Sequence, residues 1–334
     1  MKNRTVLRAR SAVGLAVVAL AGSLTLAACS SDDDSTSTPT SSSSATSAAP
    51  AAATPSAADV AAVGKITVTG AAGKKPTVTL PTTPFTVTAT TARRVSDGTG
   101  AALKDGQILT IRESVVSGAD GKAGGDNYSG DPETVQYLSA QFPATLTAAF
   151  DGAKVGARIV VASPSTGTDG TSTTTYVSAI EVTGAKDARA AGTAVTPKAG
   201  LPTVTLASDG EPSITIPKGY TAPKSLVVQT LIKGDGPKVT ATDTVLAQYS
   251  GWTLDGKSFD SSWKTGTAVS FSLAGGVIEG WTKGLTGQTV GSQVELIIPA
   301  DLAYGDNPPS GSDIPKGATL IFVVDILGAQ AATS

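Results

Sequence analysis

Hydrophobic and polar positions divide the chain into three regimes. Ala12 to Leu26 is one apolar run, broken only by small residues and Thr25. Ser30 to about Ala62 is almost entirely Ser, Thr, Ala, Pro and Asp. Such a stretch buries too little apolar surface to offset the entropy of ordering it, so a flexible tether is expected. Beyond it the pattern alternates with period two, as half-buried strands do. In the C-terminal third this predicts strands at Val227–Ile232, Thr244–Thr253, Ala268–Ser272, Gln293–Ile298 and Thr319–Leu327, with a turn at Asp255-Gly256. One segment, Val277 to Leu285, reads as a helix, because it sets Ile278, Trp281 and Leu285 on one face. A short helix against a mainly antiparallel sheet is an α+β arrangement.

The same pattern occurs twice. Lys75-Pro76-Thr77-Val78-Thr79-Leu80 is echoed by Leu201-Pro202-Thr203-Val204-Thr205-Leu206, and Asp120-Gly121-Lys122 by Asp255-Gly256-Lys257. Val155-Gly156 likewise precedes a strand, as Val290-Gly291 does, and each copy closes on an alternating strand, Tyr176–Gly184 and Leu320–Gly328. Markers in one order argue for duplicated domains meeting near Ala185–Gly200. An unrelated β-sandwich that mimics the markers is the other reading of the first copy.

Composition narrows the chemistry. Lys and Arg (25) nearly balance Asp and Glu (27), which leaves no basic footprint for nucleic acid. One cysteine and no histidine exclude disulfide frameworks, the usual zinc sites and every His-dependent nucleophilic triad. Neither a metal nor a cofactor is expected. Aromatic residues are 4% of the chain, so each one counts.

Lys2, Arg4, Arg8 and Arg10 precede the apolar run, which ends in Leu26-Ala27-Ala28-Cys29. This resembles a bacterial lipoprotein signal peptide with its lipobox, and with the tether it is similar to Gram-positive actinobacterial lipoproteins. The resemblance implies acylation of Cys29 and a membrane-anchored, extracytoplasmic protein.

Tyr249-Ser250-Gly251, Gly256-Lys257-Ser258-Phe259-Asp260-Ser261-Ser262, Val277-Ile278-Glu279-Gly280-Trp281, Ala303-Tyr304-Gly305 and Ala318-Thr319-Leu320-Ile321-Phe322 follow one another in order. Together they resemble the FKBP-type peptidyl-prolyl cis-trans isomerases over about Lys224 to Ala329. The resemblance implies an antiparallel sheet wrapped around a short helix, with an apolar pocket for proline between them. By position it makes Trp281 the pocket floor, and Tyr249, Phe259, Phe271, Val277, Ile278 and Phe322 the walls. Asp260 and Tyr304 fall at the rim, and Ile314 falls in the covering loop, Asp301 to Pro315. Trp281, Asp260 and Tyr304 are the expected catalytic residues. The chain departs from the pattern in lacking a flap histidine, in Val269 where an aromatic is frequent, and in being one residue shorter between Asp260 and Phe271. These departures bear on substrate preference.

The chemistry suits these residues. Turning an X-Pro bond opposes a barrier of roughly 18–20 kcal/mol but needs no proton transfer. A cavity that excludes water favours the twisted, less polar amide. The expected substrates are proline-containing segments of exported proteins, and macrolides of the FK506 class are expected ligands. A proline-peptide-binding chaperone or assembly lipoprotein without turnover is the alternative. In the first copy Leu146 stands at the tryptophan position, Glu113 or Ser114 at that of Tyr249, and Gly124-Gly125-Asp126 at the Phe-Asp pair. A Thr/Ser-rich loop, Ser165–Thr175, replaces the flap, so the first copy is expected to have lost its pocket. The expected division is signal peptide 1–28, tether 29–63, degenerate FKBP-like domain 64–186, linker and leading strands 187–222, and isomerase domain 223–330.

Overall fold

A computed structural model describes residues 53–166 and 173–331. The signal peptide, Cys29 and most of the tether lie outside the described residues. The tether's last residues do not read as tether in the structure. Ala57–Gly64 forms helix α1, opened by Ser56, whose hydroxyl accepts from the Asp59 N–H while the Asp59 carboxylate accepts from the Ser56 N–H. This reciprocal cap, with Val63 buried below it, is what an alanine-rich composition hid.

In the first unit, β1 (Thr67–Thr69) and β2 (Thr77–Thr79) form a ribbon. They are followed by β3 (Thr91–Ser96), β4 (Ile108–Ser117), β5 (Ala123–Asp126), β6 (Glu133–Gln136), helix α2 (Ala144–Phe150), β7 (Arg158–Thr166) and β8 (Thr173–Lys186). The sheet order is β3-β7-β8-β4-β5, with β6 also on β4. In the second unit β9 (Thr193–Ala194) precedes a ribbon of β10 (Thr203–Leu206) and β11 (Pro212–Thr215). Then come β12 (Val227–Lys233), β13 (Asp243–Thr253), β14 (Ser258–Ser261), β15 (Val269–Ser272), helix α3 (Glu279–Leu285), β16 (Gln293–Ile298) and β17 (Leu320–Ala331). Its order is β9-β12-β16-β17-β13-β14, with β15 on β13. Apart from β9, the two sheets are ordered alike. Their bulges also correspond, between Thr110 and Ile111 on β4 and between Leu246 and Ala247 on β13.

Each sheet buries both faces. One face holds the short helix, and the other is covered by the preceding ribbon. Val68 and Val78 cover Val160 and Val177 in the first unit, and Val204 and Ile214 cover Leu231, Trp252 and Val323 in the second. The Thr-Val-Thr-Leu motif is not equivalent in the two units. Thr77–Thr79 is the second strand of its ribbon and Thr203–Leu206 the first, so the structural counterpart of β10 is β1. The segment Ser165–Thr175 is not a flap loop either. Ser165 pairs with Thr174 and Thr166 with Thr173, which extends the β7–β8 hairpin, while residues 167–172 lie outside the described residues.

Buried polar groups tie the ribbon and the connecting segment to the sheets. Arg158 pairs with Glu181 at 2.9 Å and donates to the carbonyls of Gly70 (2.7 Å) and Ala71 (2.6 Å), holding the β1–β2 turn. In the second unit Gln293 and Asp325 meet at 2.7 Å, and Asp325 accepts from the Ala190 N–H at 2.7 Å. Beside them Glu295, fully buried, accepts from Gln229 Nε2 at 2.7 Å, while its other oxygen has no partner. Between the units, Gln136 donates to the Gly266 carbonyl (2.9 Å) and accepts from the Ala268 N–H (2.7 Å).

Burial pushes the Glu295 carboxyl up to about 7, and burial also holds Asp325 up at about 6. A folded state that keeps protons the unfolded chain has released loses stability as pH rises between the two ionisations. Stability should therefore fall from about pH 5 to pH 7 and then level. Glu295→Gln should flatten this decline and raise stability above pH 7, by up to about 3 kcal/mol. Urea unfolding midpoints across pH 5–8 measure it, and a variant with an unchanged slope contradicts it.

Candidate active site

The site is built on the contact between α3 and β16. A Cβ on Gly280 would lie 2.3 Å from Ile298 Cγ2, and one on Gly284 2.5 Å from Leu296 Cδ2. The helix seats directly on the strand's side chains because these two positions carry no side chain of their own. This close approach aims Trp281, 3% exposed, into the concave face of the sheet. The helix begins at Glu279, not at Val277 as the periodicity predicts. Ile278 is its extended N-cap residue (φ −62°, ψ 149°), whose carbonyl accepts from the Trp281 N–H at 3.0 Å. Val277 and Ile278 therefore reach the cavity from extended backbone.

Around Trp281 the aromatic rings meet edge to face. The Tyr249 ring lies 5.5 Å away at 83°, Phe271 4.8 Å at 60° and Phe322 5.3 Å at 86°. Phe259 in turn packs on Phe322 at 5.5 Å and 87°. Each such pair adds about 0.5–1.5 kcal/mol beyond area burial and fixes ring orientation. Gly251 makes room for two of them, since a Cβ there would lie 2.7 Å from the Phe259 ring and 2.9 Å from that of Phe322. Tyr249 is held through its backbone as well: its N–H donates to Ser262 Oγ at 2.9 Å, where β14 has given way to a turn.

Together Tyr249, Phe259, Asp260, Phe271, Val277, Ile278, Trp281, Tyr304 and Phe322 line a cavity of about 120 Å³, joined by Gly276, which is not among the expected residues. Gly276 had no signal beyond the glycine pair that precedes the helix. Ile314 is the expected residue that the cavity does not include. It is buried in the same hydrophobic cluster as Trp281 rather than on the wall. At the rim the Tyr249 hydroxyl donates to Asp260 Oδ2. Burial pushes the Tyr249 phenol up, and the Asp260 hydrogen bond and charge push it further the same way. Burial raises Tyr304 too, with Asp260 contributing. Both phenols are thus kept protonated, as donors. Tyr304 is set by a compact loop in which its carbonyl accepts from Asn307 (3.0 Å) and Gly305, at φ 55°, donates to Ala300 (2.9 Å).

The FKBP_C family, described as FKBP-type peptidyl-prolyl cis-trans isomerase, matches residues 236–327. An FK506-binding protein of Streptomyces anulatus is 44% identical over 119 residues, 35% of this chain and 95% of that protein. A probable FK506-binding protein of Corynebacterium glutamicum is 39% identical over 121 residues, 36% of this chain and 98% of that one. The FKBP-type peptidyl-prolyl cis-trans isomerase FkpA of Escherichia coli is 41% identical over 112 residues, 34% of this chain and 40% of its own length. This chain belongs to the FKBP-type peptidyl-prolyl cis-trans isomerases and is an enzyme of that class.

The helix seat yields a direct test. Gly280→Thr forces overlap with Ile298 and should cost about 1–3 kcal/mol of stability and most of the isomerase activity. Adding Ile298→Ser makes room again and should recover a large part of both. Equal activity of the single and double variants would show that the seat does not position Trp281.

Proposed function

We propose that the second unit isomerises X-Pro bonds of exported proteins on the outer face of the cytoplasmic membrane, held there by acylated Cys29. The membrane half of the reading rests on the basic N terminus, the apolar run and the Leu26-Ala27-Ala28-Cys29 sequence. The isomerase half rests on one observation: a small apolar cavity floored by Trp281 with protonated phenols at its edge.

A prolyl ring enters against the indole, stacking on Trp281 between Tyr249 and Phe271. The carbonyl before the proline loses resonance as it turns. A water-poor aromatic wall disfavours the planar, more polar amide relative to the twisted one. Tyr304 donates to a substrate carbonyl at the rim. The Ile278 N–H, which donates to no backbone carbonyl among the described residues, donates to the next substrate carbonyl. Asp260 acts as a positioning residue that fixes Tyr249. Macrolides of the FK506 class compete for the same cavity.

The first unit is a degenerate FKBP-like domain. The shared strand order and bulge positions, the equal lengths of α2 and α3, and the left-handed glycines after each helix, Gly152 and Gly156 in one and Gly287 and Gly291 in the other, support this.

Protease-coupled or NMR-exchange isomerisation of a proline tetrapeptide by the full chain tests the reading. Trp281→Ala should lower kcat/KM by more than about tenfold, by removing the floor. Tyr304→Phe should lower it by about three- to tenfold, the worth of one hydrogen bond. Folded protein that binds proline peptides without accelerating exchange would instead support a non-catalytic chaperone. For the anchor, Cys29→Ser should move the protein from the membrane fraction to the medium.

A further inference from the structure

The first unit was expected to have lost its pocket, yet it holds a cavity of about 220 Å³ between α2 and the sheet. Its walls include Phe142, Leu146, Phe150 and Val161. Leu146 is the third residue of α2, as Trp281 is of α3, so the cavity lies where the indole lies in the other unit and a smaller side chain leaves the space. Ser163, Ser165, Tyr176 and Ser178 add hydroxyls to this lining, and Glu113 is its one ionisable carboxyl. Glu113 is the third residue past the β4 bulge, the place Tyr249 holds on β13. It is 3% exposed and lines the cavity, and its Oε2 has no hydrogen-bond partner. The side chain that hydrogen-bonds to it is Ser178, which stands where Phe322 stands in the second unit.

A buried carboxyl oxygen without a partner costs free energy comparable to a lost hydrogen bond, and a group entering the cavity can recover it. The charge around it is of one sign. Glu133 on β6 is held up at about 7 by burial and by the charge of Glu113, and burial raises Glu113 as well. Among the described residues no Lys or Arg pairs with either carboxyl. A mostly apolar cavity with a few polar groups, one of them a carboxyl, is the general form of a small-molecule site.

We infer that this cavity binds a small hydrophobic amine, its apolar body against Leu146 and Phe150 and its ammonium donating to Glu113 Oε2. An entering cation supplies the hydrogen bond that Oε2 lacks and stabilises both carboxylates. A neutral molecule of the same shape does neither. The site is independent of the isomerase reading, since it shares no residue with the cavity around Trp281.

The full chain titrated with cyclohexylmethylamine and, separately, with cyclohexylmethanol tests the inference by calorimetry and methyl NMR. The amine should bind at least about tenfold more tightly than the alcohol, the difference a charge-assisted hydrogen bond makes. Glu113→Gln should remove that preference while retaining alcohol binding, which also shows that the variant is folded. Leu146→Trp should fill the cavity and abolish both. Isomerase activity should stay unchanged in each variant. Equal affinity for the two probes, a preference that survives Glu113→Gln, or no binding of either probe by the unaltered chain overturns the inference.

Discussion

The second unit depends on how closely α3 approaches β16. Two positions on one helical face, Gly280 and Gly284, carry no side chain, and the space they leave is taken by Ile298 and Leu296. A helix this short has little stability of its own, so its placement is decided by packing. Once seated, it points Trp281 into the sheet, and the rings of Tyr249, Phe271 and Phe322 fix its plane. The cavity is thus a consequence of backbone proximity first and of aromatic residues second.

Strands were legible where polar and apolar residues alternate, even where both faces are buried, as on β16. Gln293–Ile298 emerges with the bounds the pattern predicts, while β17 runs on to Ala331 past the apolar stretch because β13 continues to pair with it. The apolar spacing places the helix start two residues too early, because Val277 and Ile278 are apolar for the cavity rather than for a helical face. Helix α1 was missed because its alanines match the low-complexity stretch before them. The Ser56 and Asp59 spacing was the available signal.

The aromatic site was legible because aromatics are scarce and fall in ordered strings. The cavity of the first unit was not. It arises from residues smaller than their counterparts and from one glutamate, and nothing in the spacing marks an acidic residue as buried. Only the β4–β8 ladder shows that Glu113, and not Ser114, takes the place of Tyr249.

The two units also differ in side-chain size at several contacting places at once. Where α3 has Gly280 and β16 has Ile298, the same helix and strand places hold Thr145 and Ser163. Gly251, Phe259 and Phe322 in one ladder are answered by Val115, Gly124 and Ser178 in the other. At these contacts a lone change that carries either unit toward the other opens a void or forces an overlap, both costly in a close-packed interior. The likeness between the units therefore lies in strand order and register, which position-by-position comparison of letters does not measure. Substitutions at these contacts are therefore coupled, and their effects on stability should be far from additive.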